Sequence, residues 1–196
     1  CSGKHCGFLT FNKNAKLSSD YNSIEHPVQQ MCHNVLEDLT KEKIVKYGID
    51  GCSAPNFMCS LRGLAAAMAN LASPRRLGIV RKNAIRQILE AMNRYPVLVA
   101  GHGRACTDII SNIDGKAIVK TGAEGVFVGV IPDKDLGIAI KISDGSTRAS
   151  EASITTILIR LGLLDKDSLV AKKVLDGKRL RADFQQYSEI KKMYKK

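Results

Sequence analysis

Apolar residues recur at helical spacing through the first half of the chain and in short β-type runs through the second. This change of rhythm near residue 97 predicts a mixed α/β fold. Val28, Met31, Cys32, Val35, Leu36 and Leu39 follow Pro27 at i, i+3, i+4, i+7 spacing, and Pro27 suits a first helical position. Leu61, Leu64, Ala65, Met68 and Leu71 repeat the pattern and stop before Ser73-Pro74. Ile85, Ile88, Leu89 and Met92 make a third amphipathic face, ended by Tyr95-Pro96. Gly63, Ala65, Ala66, Ala67 and Ala69 leave the second of these helices a small-residue surface that permits close packing on its neighbours.

Four runs then read as strands: Val97 to Val99, Ala117 to Val119, Val126 to Ile131 and Ile138 to Ile142. Pro132-Asp133-Lys134-Asp135 is a turn signal between the last two and predicts an antiparallel hairpin. A long helix is expected from about Thr147, with Ile154, Ile157, Leu158 and Leu161 on one face, and a shorter helix after Leu164 leads into a basic tail. The expected architecture is a helical cluster packed beside an antiparallel sheet backed by the long helix. It divides into a main unit over residues 1–164 and a C-terminal helix with basic tail over 165–196.

Composition narrows the class. With 196 residues, 44% of them hydrophobic, the chain can bury one core. Six cysteines, at positions 1, 6, 32, 52, 59 and 106, lack the dense spacing of a disulfide scaffold, so reduced thiols and a cytoplasmic chain are expected. No apolar run reaches the eighteen or so residues of a membrane span. The net charge of +11 invites an acidic partner, but the positive residues are dispersed, aromatics are few, and no nucleic-acid-binding motif interleaves with the charge. Specific nucleic-acid binding is not expected.

Three segments concentrate reactive residue types. They are Cys1-Ser2-Gly3-Lys4-His5, Asp50-Gly51-Cys52 and Lys120-Thr121-Gly122-Ala123-Glu124-Gly125. A Lys-Thr-Gly tripeptide on a strand edge is an element of the serine penicillin-recognising enzymes, where nearby glycines let backbone approach a substrate beside a proton carrier. Taken alone, Lys120 is better accounted for as a solvated hairpin end. Lys141, Asp144 and Arg148 read either as a charged pocket rim or as a hairpin end meeting a helix start.

Taken together and in this order, with Gly101 to Thr107 and its Arg104 and Cys106, the segments resemble the asparaginase II family of amidohydrolases from Cys1 to about Leu164. The resemblance implies a fold like that of serine β-lactamases and glutaminases, hydrolysis of L-asparagine to aspartate and ammonia, and a homodimer. It also implies a zinc site at Cys1, Lys4 and Cys52, with Asp50 beside it at the substrate. Lys120 would be the amine that exchanges a proton with an active-site serine. Lysine is an unusual ligand: it must lose a proton held at a pKa of about 10.4 before it can donate a lone pair. Cys6 departs from the family pattern, which more often has a small residue there.

The family's Ser-x-x-Lys nucleophile precedes the Cys-Ser-Gly-Lys-His segment. The single literal match here, Ser188-Glu189-Ile190-Lys191, lies in the Lys-rich tail. The expectation is therefore the C-terminal portion of such an enzyme, missing its N-terminal portion and inactive alone. The competing expectation is a non-catalytic metal- or amino-acid-binding module, or a partner half. An N-terminal-nucleophile reading of Cys1 requires a β-sandwich, whereas residues 24 to 93 read as helical.

Overall fold

The computed structural model describes residues 2–175, and the fold over them is mixed α/β. Two elements lead: α1, Ser2–Ala15, and α2, Pro27–Thr40. A two-stranded antiparallel hairpin follows, β1 at Tyr47–Ile49 and β2 at Pro55–Phe57. Then come α3, Leu61–Ala72; α4, Ile79–Arg94; α5, Pro96–Ala100; and α6, Ala105–Ser111. The main sheet comprises β3, Ile118–Thr121; β4, Val126–Ile131; and β5, Leu136–Lys141. Helices α7, Thr147–Arg160, and α8, Leu169–Leu175, complete the described chain.

The main sheet is antiparallel in the order β3-β4-β5, with Val119 opposite Gly129 and Gly129 opposite Ile138. Its period of two sends Phe127, Gly129 and Ile131, with Ile138 and Ile140 across the ladder, to one face. A Cβ placed on Gly129 would lie 3.6 Å from the Ile154 side chain, so this face looks onto α7. Ile109, Ile110 and Ile113 of α6, Ile154 and Leu158 of α7, and Val170 and Ala171 of α8 close the core with Phe127 and Ile131.

The opposite face carries Gly137 and Ala139 and meets α3. A Cβ on Gly137 would fall 2.1 Å from the Ala69 nitrogen and 2.2 Å from the Ala65 carbonyl oxygen, so helix backbone rests directly on strand backbone. The small residues at 65, 66 and 69 and the absent side chain at 137 are what permit this approach.

The periodic segments form α2, α3, α4 and α7 as the sequence predicts, and β4 and β5 pair as the predicted hairpin across a 3-10 turn at Pro132–Lys134. Val97 to Val99 corrects the prediction: it lies in α5, not a strand. Pro96 stands at the first helical position, where its fixed φ favours a helix, and Gly101 ends the turn at φ +94. The β1–β2 hairpin and α1 are the other differences. No clear apolar stripe marks α1: of its residues Phe8 and Asn12 are buried, so periodicity gives it no signal.

Candidate active site

Four segments converge on one cleft. The first turn of α1 contributes Ser2, Gly3 and Lys4, and the β1–β2 turn contributes Asp50. The α5–α6 connection brings Val97 to Gly101 and Arg104, and the end of β3 brings Lys120, Thr121 and Gly122. The cleft encloses about 700 Å³, enough for a small metabolite.

Each wall is built by local chemistry. Asp50 begins a tight turn: its carbonyl accepts from Ser53 N–H at 2.8 Å, its own N–H donates to Ala54 at 2.9 Å, and its Oδ1 accepts from Gly51 N–H at 2.8 Å. Ser53 takes φ +70 to close it. Opposite this turn, Phe8 of α1, Val28 of α2 and Ala54 form a small apolar cluster, joined by Phe11, Tyr21, Cys32 and Cys52. That cluster seats the first turn of α1 against the hairpin and leaves Lys4 Nζ 2.9 Å from Asp50 Oδ2.

The same Asp50 Oδ2 accepts from the Cys52 thiol at 3.7 Å, so Lys4, Asp50 and Cys52 form one polar knot. The Asp50 carboxyl is held below the ordinary carboxylate range, chiefly by the hydrogen bond from Lys4 and then by Gly51 N–H. Burial pulls the Lys4 amine down, but hydrogen bonds to Asp50 and Cys52 outweigh it and leave its pKa raised. The Cys52 thiol is lowered to about 7, first by the His5 side chain, then by Ala54 N–H, with Lys4 adding to these against burial. His5 Nδ1 meets the Tyr21 hydroxyl at 2.9 Å, and its buried Nε2 has no hydrogen-bond partner among the described residues. His5 belongs to a segment the sequence singles out, yet nothing in the sequence assigns it this place.

The far wall rests on the main core. Thr107 Oγ1 donates to the Gly101 carbonyl at 2.6 Å and lies 3.1 Å from that of Pro96, fixing the bend before α6. Cys106, 1% exposed, accepts the Thr121 N–H on its sulfur at 3.1 Å and so ties α6 to the strand end beside Lys120. Burial raises the Cys106 thiol, which suits a structural rather than a reactive sulfur. Lys120 is exposed and donates to the Thr121 carbonyl at 2.7 Å.

Of the sequence-derived site residues, Lys4, Asp50 and Lys120 line the cleft and Cys52 stands behind Asp50; Cys1 lies outside the described residues, as does Ser188 to Lys191. Among the described residues no group of three or more His, Cys, Asp or Glu side chains is placed to hold a metal ion. The knot instead offers one amine, one thiol poised to ionise near neutrality and one carboxylate, and this mixed nitrogen, sulfur and oxygen set has donor chemistry suited to zinc. The described cysteines, Cys6, Cys32, Cys52, Cys59 and Cys106, are all free of disulfides, and no described helix is long and apolar enough to cross a membrane.

A sequence model of the family described as L-asparaginase II matches residues 1–191. Comparison with curated proteins returns no match.

Proposed function

The chain belongs to the L-asparaginase II family, and from that premise we propose that its cleft is the substrate-binding part of an L-asparaginase-like amidohydrolase site. The reaction is hydrolysis of L-asparagine to L-aspartate and ammonia on a serine β-lactamase-like scaffold. The observation that carries this reading is the convergence of Lys4, Asp50 and Lys120, 46 and 70 residues apart in sequence, on one cleft of metabolite size.

In this reading Asp50 receives the substrate's α-ammonium group, because it is the acidic side chain lining the cleft and its carboxyl is held ionised. Lys120, projecting from a strand end flanked by Gly122, moves a proton to and from a serine nucleophile, with bound substrate covering its amine. That serine belongs to a Ser-x-x-Lys element that residues 2–175 do not contain.

Cys1, Lys4 and Cys52 would hold zinc, which when bound supplies a fixed positive charge that organises the pocket. An amine that gives its lone pair to a metal no longer donates to Asp50, so the same exchange leaves Asp50 for the substrate. The protein acts as a homodimer in the cytoplasm under this reading, with L-asparagine as its small-molecule partner.

The test is ammonia release from L-asparagine by the purified 196-residue chain, with L-asparagine binding and zinc content measured on the same sample. Bound zinc and bound L-asparagine without turnover are expected. Turnover would show that these residues suffice and would move the nucleophile to one of their own serines or cysteines. A sample that binds neither zinc nor L-asparagine overturns the reading.

A further inference from the structure

The cleft has more positive charge than its proton chemistry uses. Lys4, Arg104 and Lys120 line it together with one carboxylate, Asp50, and the Lys4–Asp50 pair at 2.9 Å compensates itself. Two cations are left to set the field inside a walled cleft, where charge of one sign concentrates ligands of the other. Lys120 has an assigned task and an acceptor of its own in the Thr121 carbonyl. No hydrogen bond or ion pair joins the Arg104 side chain to any other described residue, although its carbonyl accepts the Asp108 N–H at 3.0 Å at the start of α6.

We infer that Arg104 anchors the α-carboxylate of the amino acid bound in this cleft, an assignment that rests on the amino-acid-hydrolase reading above. Three features of the structure support it. A guanidinium presents its donors as a planar fork matched to a carboxylate, and an exposed arginine with no ion-pair partner among the described residues keeps those donors for a ligand. The backbone that carries it is fixed: Gly101 at φ +94 and Gly103 at φ +71 shape the approach, and Thr107 locks the Gly101 carbonyl at 2.6 Å. Cys106 then binds α6 to Thr121, so Arg104 and Lys120 are presented by one rigid unit.

The cleft thereby offers a carboxylate from the β1–β2 turn and a guanidinium from the α5–α6 connection. That is the charge complement of an α-amino acid zwitterion, with Lys120 beside the guanidinium for the side-chain amide. Arg104 is thus a binding residue that selects for a free α-carboxylate, and peptides or α-amides of asparagine are excluded as ligands.

Calorimetric titration of the full chain with L-asparagine and with L-asparagine α-amide tests this. The wild-type chain is expected to bind L-asparagine and to discriminate against the α-amide by about tenfold or more, the usual worth of a charge-assisted hydrogen bond. In Arg104→Gln the L-asparagine affinity falls by a similar factor and the discrimination disappears, while Arg104→Lys recovers part of both. The thermal midpoint stays at the wild-type value, because the Arg104 side chain makes no hydrogen bond or ion pair with the described residues and its backbone bond to Asp108 survives the substitution. Discrimination that survives in Arg104→Gln, or equal binding of both compounds by the wild-type chain, overturns the assignment and leaves the amino-acid reading intact. Failure of the wild-type chain to bind either compound overturns both.

Discussion

The region built on β3 to β5 and the region built on α1, α2 and the β1–β2 hairpin are held together by different forces. The first buries a continuous apolar core of branched and aromatic side chains, among them Ile109, Phe127, Ile131, Ile154 and Leu158. The second buries Phe8, Val28 and Ala54 as its apolar cluster, and much of the rest of its interior is polar: Asn12, His26, Gln29 and Thr40. Those polar groups latch neighbouring chain. Gln29 donates to the Tyr21 carbonyl at 2.6 Å, Asn12 to that of Ser18 at 3.0 Å, and the His26 ring receives the Val28 N–H that opens α2. A net hydrogen bond contributes about 1 kcal/mol, whereas a buried leucine or phenylalanine contributes about 2 to 3. The difference teaches that the cleft has one wall on rigid ground, carrying Arg104 and Lys120, and one on latched ground, carrying Lys4 and Asp50.

The strongest way to break the comparison is Gly137→Ala. Its methyl would occupy α3 backbone, and the expected outcome is a loss above about 4 kcal/mol or failure to fold, read by urea denaturation. A variant that melts like the wild type would mean that α3 does not lie on the strand. Next come Leu158→Ala in the main core and Phe8→Ala in the small cluster. The first is expected to cost about 3 to 4 kcal/mol globally. The second costs about 2 kcal/mol and shows in hydrogen exchange as lost protection in α1 with β3 to β5 unchanged, since solvent bounds that cluster on one side. Equal, global effects of both would erase the distinction between the regions.

Two smaller effects sharpen the boundary between them. Ser60 caps α3 by accepting Gly63 N–H at 2.9 Å, so Ser60→Ala is expected to cost about 1 kcal/mol in the same denaturation experiment. Glu42 takes the Ser60 N–H at 2.9 Å and its hydroxyl on the other oxygen, and these bonds, the hydroxyl's first, hold its carboxyl below the ordinary value of 4.5. A carboxyl lowered by folding stabilises the fold above pH 4.5 and ceases to do so as pH falls through its folded value. Thermal midpoints measured from pH 6 downward are therefore expected to decline through that window less steeply in Glu42→Gln than in the wild type. Parallel declines would remove Glu42 from the account.

How far the sequence foretold this depended on which force governs each segment. Helices α2, α3, α4 and α7 declare themselves because their apolar faces meet a partner, and the β4–β5 hairpin because Pro132 to Asp135 can only turn. In α5 the β-branched Val97 and Val99 point to a strand, while Pro96 and Gly101 bracket a single helical turn and prevail. In α1 the packing is too sparse to leave a stripe. At the site, Lys4, Asp50 and Lys120 were found from the order of three polar segments and their likeness to a family; spacing alone would not have gathered them. Arg104 and His5 lie in two of the segments that carry the family likeness, yet the sequence alone assigns neither a role. What gives each its place is a contact made across the fold, the Cys106–Thr121 tie in one case and the Tyr21 hydroxyl in the other.

Backbone seated on backbone at Gly137 has a mechanical consequence. Helix α3 has no side chain there to roll over, so it cannot shear along the sheet, and Asn70 transmits that immobility to the end of α2 by donating to the Leu39 carbonyl at 2.8 Å. The Lys4–Asp50 wall has no such backbone seat and is set by side chains, the Phe8 cluster and the 2.9 Å ion pair. The two sides of the cleft are thus fixed as a weld and a clasp are: one by backbone that no substitution short of position 137 removes, the other by side chains that single substitutions at Phe8 or Asp50 undo.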